Sequence, residues 1–352
     1  MQFQTPVNLP TSPQRLTPDS RVVLLGSCFA QHIGERMVQS LPDGHVALNP
    51  CGTLYNPHSL LHTAQWLTTE AQGPTADLCF EGRDGQWHHR LFSTDVSATS
   101  REACWAQVEE RIAAARTVAQ RMTHLFVTLS TDHVYRLRAD ESVIVANCHK
   151  EPAAHFREEI YPLQQMIEEW SAWVEWWQGT HPQCQLIFTL SPYRYAKYGM
   201  HASQLSKARL LLLIDALQER FGERVSYFPA YEILMDELRD YRFYEADMLH
   251  PSHVAVDYIW ERFTEWAFSP TLTEYATERE RLRRDFAHHI LHPESPEAQA
   301  FLLQREARRQ AFLEKYGGSL RDLVSTQPAA AGSIVEARMG SNVKVPHLAC
   351  KV

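Results

Sequence analysis

The 352-residue sequence has no apolar run that approaches the length of a membrane span. Its N-terminus, Met1-Gln-Phe-Gln-Thr-Pro-Val-Asn-Leu-Pro10, also lacks the basic region and apolar core of a secretory leader. These absences make the cytoplasm the expected location. Excess basic charge is missing too. There are 34 Lys and Arg against 42 Asp and Glu, a net charge of −8 with pI about 6.1, so no nucleic-acid surface is indicated. No Cys-x-x-Cys pair occurs. The seven cysteines, at 28, 51, 79, 104, 148, 184 and 350, form an odd, dispersed set that points to reduced thiols. Cys148-His149 has no second ligand pair at metal spacing, so packing is its expected role and no metal or organic cofactor is required. No internal repeat is visible.

What is present begins at Arg21-Val-Val-Leu-Leu-Gly-Ser-Cys-Phe-Ala-Gln-His-Ile-Gly-Glu-Arg-Met37. The continuous apolar run Val22 to Leu25 reads as a strand buried on both faces. Phe29, Ile33 and Met37 then recur as on one helix face. The change from strand to helix at Gly26-Ser27 sets Ser27 at the carboxyl edge of a sheet and at a helix N-terminus, where free N–H groups favour negative charge. Ser27 is therefore placed like a nucleophile, although helix capping is the ordinary role of such a serine. Cys28 is a rival on the same turn, with its side chain expected to point into packing.

The partner stretch is Tyr244-Glu-Ala-Asp-Met-Leu-His-Pro-Ser252. Asp247 and His250, three residues apart, can point the same way, with the carboxylate holding the imidazole. Together with Ser27, about 220 residues upstream, they complete a Ser-Asp-His set for nucleophilic catalysis in which His250 is the general base. A surface ion pair is the bland alternative for an isolated Asp-x-x-His.

Gly-Ser-Cys-Phe-Ala at 26–30 resembles the signature of the GSCFA family, a bacterial group similar to the SGNH (GDSL-like) esterases and lipases. Further matching stretches are Asn49-Pro-Cys-Gly-Thr-Leu-Tyr-Asn-Pro57, Asn147-Cys-His-Lys150, Thr189-Leu-Ser-Pro192, Ser206-Lys207-Ala208, Tyr227-Phe-Pro-Ala-Tyr-Glu-Ile233 and Asp236-Glu-Leu-Arg-Asp-Tyr-Arg-Phe-Tyr244, running into Asp247-Met-Leu-His-Pro251. Two features depart from the esterase class. Gly26 stands where that class has Asp before its Ser, and Leu129-Ser-Thr-Asp-His133 stands in place of a Gly-x-Asn-Asp block. The resemblance implies a three-layer αβα sandwich with a mostly parallel, flavodoxin-like sheet over residues 1–270. It also implies a serine esterase acting on small acyl esters such as O-acetyl groups of carbohydrates. N–H groups of Ser27 and Gly52 would hold the oxyanion, with Asn147 as the candidate side-chain donor. Alternatives are an O-acyltransferase with the same triad, or a binding or assembly protein with a vestigial site.

The remaining expectations follow the chain. Strands are expected over 45–48, 124–129, 184–190 and 225–229, with helices over 28–40, 58–69, 100–121, 156–178, 203–221, 231–242 and 254–268. Residues 73–100 read as an irregular hairpin whose His88 and His89 are solvated. Thr131 to Tyr135 and Ser142 to Ala146 read as a second hairpin. The tryptophans at 170, 173, 176 and 177 read mainly as core. His149, and the loop residues Arg194 and His201, are candidate substrate contacts. Residues 271–317 read as two charged helices, a candidate surface for homo-oligomer assembly, and 318–352 as a disordered tail.

Overall fold

In a computed structural model, residues 4–12, 14–69 and 73–317 are described; the tail expected over 318–352 lies outside them. The elements in chain order begin with β1 Val22–Gly26, α1 Cys28–Ser40, β2 Val46–Leu48 and α2 Pro57–Thr68. A first excursion holds β3 Cys79–Glu81, β4 Trp87–His89 and β5 Ser97–Ala98, and is followed by α3 Arg101–Ala119 and β6 His124–Leu129. A second holds β7 His133–Leu137, β8 Ile144–Val145 and β9 Phe156–Ile160. The chain returns through α4 Leu163–Thr180, β10 Gln185–Leu190, α5 Met200–Phe221 and β11 Val225–Phe228. A short helical stretch, α6 Ala230–Glu232, runs into a π turn over Ile233–Glu237, and α7 His253–Ala267, α8 Pro270–Ala287 and α9 Pro296–Tyr316 complete the described chain.

The central sheet has five strands in the order β11-β10-β6-β1-β2, every pair parallel. Period-2 alternation sorts its side chains into two cores. Val23, Leu25, Leu125, Val127, Leu186 and Phe188 pack with α2, α3, α4 and α5 on one face. Val22, Leu24, Phe126, Ile187 and Phe228 pack with α1, α7, α8 and α9 on the other. This is the three-layer α/β arrangement. The two excursions form separate three-stranded antiparallel sheets, β3-β4-β5 and β8-β7-β9.

Several boundaries differ from the sequence reading. Residues 156–160 form an edge strand paired with β7, and the helix begins only after Pro162, whose ring cannot sit in a helix interior. The charged helix expected over 231–242 is reduced to α6, the π turn and a 3₁₀ turn at Tyr241–Phe243. His88 and His89 are buried rather than solvated, because β4 lies between its two partner strands. Trp170, Trp173 and Trp177 are core while Trp176 is exposed. The six cysteines among the described residues are free thiols. Beyond residue 270, α8 and α9 bury Leu272, Tyr275, Leu282 and Phe312 in the core that holds β1 and α1, and the buried Arg279 pairs with Asp43.

Burial holds four imidazoles neutral. It pushes His89 and His124 down to about 4, and His58 and His149 down to about 3. Each contributes stability that is complete above the ordinary histidine value of about 6.5 and is lost as pH falls towards these depressed values. The urea midpoint should therefore drop on going from pH 7.5 to pH 5, and His124→Gln should narrow the difference. Equal midpoints would contradict the assignment.

Candidate active site

Chain connections leave β1 and β6 in opposite directions across the sheet, β1 leading to β2 and β6 to β10. The carboxyl ends of these two strands therefore form the crevice where open α/β sheets bind ligands. Gly26 ends β1 there. A Cβ at this residue would lie 2.6 Å from the Thr128 Cβ and 2.8 Å from its carbonyl oxygen, so only glycine allows the approach. The turn is clamped from the β2 side. The Gly26 N–H donates to Asn49 Oδ1 at 2.8 Å, and its carbonyl accepts from the Leu54 N–H at 2.9 Å. Asn49, itself left-handed at φ 42°, donates its amide to Gln31 Oε1 at 3.0 Å.

Ser27 takes the N-cap position of α1 but caps nothing. Its hydroxyl is fully buried and has no hydrogen-bond partner. Among the described residues, no carbonyl or side chain accepts from the N–H groups of Cys28, Phe29 and Ala30. The helix thus begins with unpaired donors. Cys28 is half-buried, and its thiol is the strongest influence on the His250 imidazole, which it raises. The expectation that the Cys28 side chain turns into packing is corrected here. Ser27, still in extended conformation, is fully buried, whereas Cys28, the first helical residue, is only half-buried.

His250 Nδ1 meets Asp247 Oδ2 at 2.5 Å, which leaves Nε2 for the sulfur. The other carboxylate oxygen, Asp247 Oδ1, accepts the N–H groups of Leu249 at 2.8 Å and His250 at 3.0 Å. Burial alone would raise the Asp247 carboxyl, but these N–H groups and the imidazole hold it below its ordinary value. His250 moves up to about 9. The Cys28 hydrogen bond is the main cause, burial opposes it, and Asp247 adds to it. The Tyr193 ring lies 4.3 Å from the imidazole, centroid to centroid, and the Arg194 N–H donates to the Leu249 carbonyl at 3.2 Å. A bridge between Tyr244 and Pro251 closes the loop, and Met248 within it is left-handed at φ 60°.

Behind these groups, Lys207 of α5 is fully buried, and its ammonium donates to the carbonyls of Ser130 and Ser191 at 2.7 Å each. It thereby ties together the chain where β6 and β10 end. Burial, then the nearby Arg194 charge, lower its pKa to about 7. The signal for this residue is a lysine on the leucine-lined face of a helix, within Ser206-Lys207-Ala208.

The other candidate residues lie apart from this contact. Gly52 is left-handed at φ 73°, and its N–H donates to the Asn49 carbonyl at 2.8 Å, so that donor already belongs to a turn. Asn147 Oδ1 accepts from Thr94 Oγ1 at 3.1 Å and from the His149 N–H at 2.8 Å. His149 is buried against Phe80 and His88 in the first excursion. His201 is exposed in the first turn of α5. A cleft of about 780 Å³ between α1, α7 and α8 contains none of the candidate residues. No group of three or more His, Cys, Asp or Glu among the described residues could hold a metal ion.

Fold and site together define an α/β protein with a thiol, an imidazole and a carboxylate gathered at the sheet's switch point. The chain belongs to the GSCFA family, whose family model matches residues 21–263. No curated protein matches it.

The imidazole titration separates the two candidate nucleophiles. In an NMR titration His250 should show a midpoint near 9, which Cys28→Ala lowers and Ser27→Ala leaves in place. A value raised from about 6.5 to about 9 means that this contact stabilises the fold fully below pH 6.5, with the contribution lost as pH rises through 9. A midpoint that moves in the Ser27 variant alone would refute the contact.

Proposed function

We propose that the protein is an acyl-ester hydrolase in which Cys28 is the nucleophile, His250 the general base and acid, and Asp247 the group that orients His250. The single observation carrying this reading is that the Cys28 thiol is the main cause of the raised His250 imidazole. The buried, unpartnered Ser27 hydroxyl speaks against the serine esterase expected from sequence. With Cys28 as nucleophile the register moves by one residue, and Ser27 stands where the esterase class has Asp.

In the reaction, the thiol proton passes to His250 before the sulfur attacks the ester carbonyl, in keeping with the raised imidazole. The tetrahedral oxyanion collapses to a thioester, and the alcohol leaves with the proton from His250. Water, deprotonated by the same imidazole, then cleaves the thioester and restores the thiol. The unpaired N–H groups at the start of α1 are the donors best placed for developing negative charge. Asp247 and His250 are 44% and 33% exposed, so water reaches the site directly, which favours hydrolysis over transfer to an acceptor hydroxyl. Small acyl esters, including O-acetyl groups of carbohydrates, are the substrate class that the resemblance to the esterases supports.

Turnover of 4-nitrophenyl acetate should fall on the order of 10³-fold in Cys28→Ala and in His250→Ala, and stay within a few-fold of wild type in Ser27→Ala. Among the six thiols of the described residues, limiting iodoacetamide should alkylate Cys28 first. Cys148, the other half-buried thiol, is pushed up to about 11, mainly by burial, and should react slowly. Fluorophosphonate labelling of Ser27, with turnover intact in Cys28→Ala, would overturn the reading and restore the serine.

A further inference from the structure

A cavity of about 400 Å³ opens beside the loop that carries Asp247 and His250. Tyr244 and Met248 of that loop line one side, Leu234 and Met235 of the π turn another, and Met200 closes it from the start of α5. Its size falls in the range of small-molecule sites, and its walls are mostly apolar.

Two guanidiniums, Arg194 and Arg239, stand among these walls. Arg194 forms no ion pair among the described residues. Nη1 donates only to the Met235 sulfur at 3.3 Å, a weak acceptor, and Nε is buried without a partner. The other charges of the cavity are exposed and already paired, Arg239 with Asp236 at 2.8 Å and Asp240 with Arg242 at 3.6 Å. Acids outnumber bases in this chain, 42 to 34, so no shortage of carboxylates explains a half-buried cation left without one. A guanidinium held this way carries an unmet demand for a two-oxygen anion, which its fork of donors fits in bidentate fashion. Its backbone is fixed to the reactive loop. The Arg194 N–H donates to the carbonyl of Leu249, the residue before His250, and the ring of the preceding Tyr193 lies on the imidazole.

We propose that this cavity binds a substrate arm with an apolar stem ending in a carboxylate, held by Arg194 through both oxygens. The inference rests on the acyl-transfer reading in taking the neighbouring loop as the reactive one, and it names the substrate class: acyl esters that carry a free carboxylate.

Binding to the full-length Cys28→Ala protein tests the site without chemistry. In calorimetry, 4-phenylbutyrate should bind at least tenfold more tightly than 4-phenylbutan-1-ol. Arg194→Gln should abolish that preference. Met235→Glu, which sets a carboxylate beside the guanidinium, should abolish it independently, so a folding defect in the first variant does not decide the matter. Equal affinities for acid and alcohol, or a preference that survives both substitutions, would overturn the proposal, as would tighter binding of 4-phenylbutyl phosphate than of the carboxylate. In wild type, mono-4-nitrophenyl succinate should be turned over with at least tenfold higher kcat/KM than 4-nitrophenyl butyrate. Failure of the Cys28 assignment would appear in the labelling experiment and leave these binding affinities unchanged.

Discussion

The site depends on one close approach, that of Gly26 to β6. On the β6 side β1 pairs to its last residue, and that last pair, Gly26 with Thr128, leaves no room for a side chain. The approach lets β1 end flush with β6, and α1 start one residue later without a connecting loop. Asn49 and Leu54 hold both polar groups of the Gly26 backbone, so the start of the helix has no freedom to slide along the edge. The position of the Cys28 sulfur is a consequence of backbone packing, before any interaction of its own.

Electrostatics at this edge run against the character of the whole chain. The protein is acidic, yet the crevice gathers the positive end of α1, the Lys207 ammonium beneath it and the unpaired Arg194 beside it. In a low-dielectric setting such groups favour an anion over a neutral molecule. Lys207 meets its own demand by donating to two carbonyls, so its first effect is to hold the ends of two strands together. The Lys207 donors and Asn49 thus support the crevice from opposite sides.

Much of this was legible in the sequence because the signals are local. A four-residue apolar run followed by four-residue spacing marks β1 and α1, and Asp-x-x-His marks the reactive loop. Strands 124–129 and 184–190 read as core strands because most of their residues are apolar, and both of their faces are covered. What sequence missed is decided by contacts far along the chain. Whether Ser27 or Cys28 faces the sheet edge turns on where the helix begins to a single residue, which periodicity does not resolve. The extended segment at 156–160 is polar and becomes a strand because β7 offers a free edge. His88 and His89 look solvated in a Gly-flanked stretch until β3 and β5 are seen on either side. The donor at Gly52 is consumed by a turn inside Asn49-Pro-Cys-Gly52 itself, a signal that was present and is explained by turn chemistry.

The loop at 244–251 joins the Asp247–His250 pair to the wall of the neighbouring cavity through one left-handed residue. Met248 is left-handed, which costs a branchless side chain on the order of 1 kcal/mol, and it persists because the Tyr244–Pro251 bridge and the Glu245 N–H on the His250 carbonyl hold the loop closed. The Met248 N–H donates to the Glu245 carbonyl, so the reversal between Asp247 and His250 is a tight turn. That turn brings the Asp247 carboxylate onto its own loop's N–H groups and onto the imidazole, while Met248 joins the wall of the cavity that contains Arg194. A ligand that presses on Met248 therefore bears on the same turn that aims His250 at Cys28. The wall of the cavity and the alignment of the imidazole thus share one backbone.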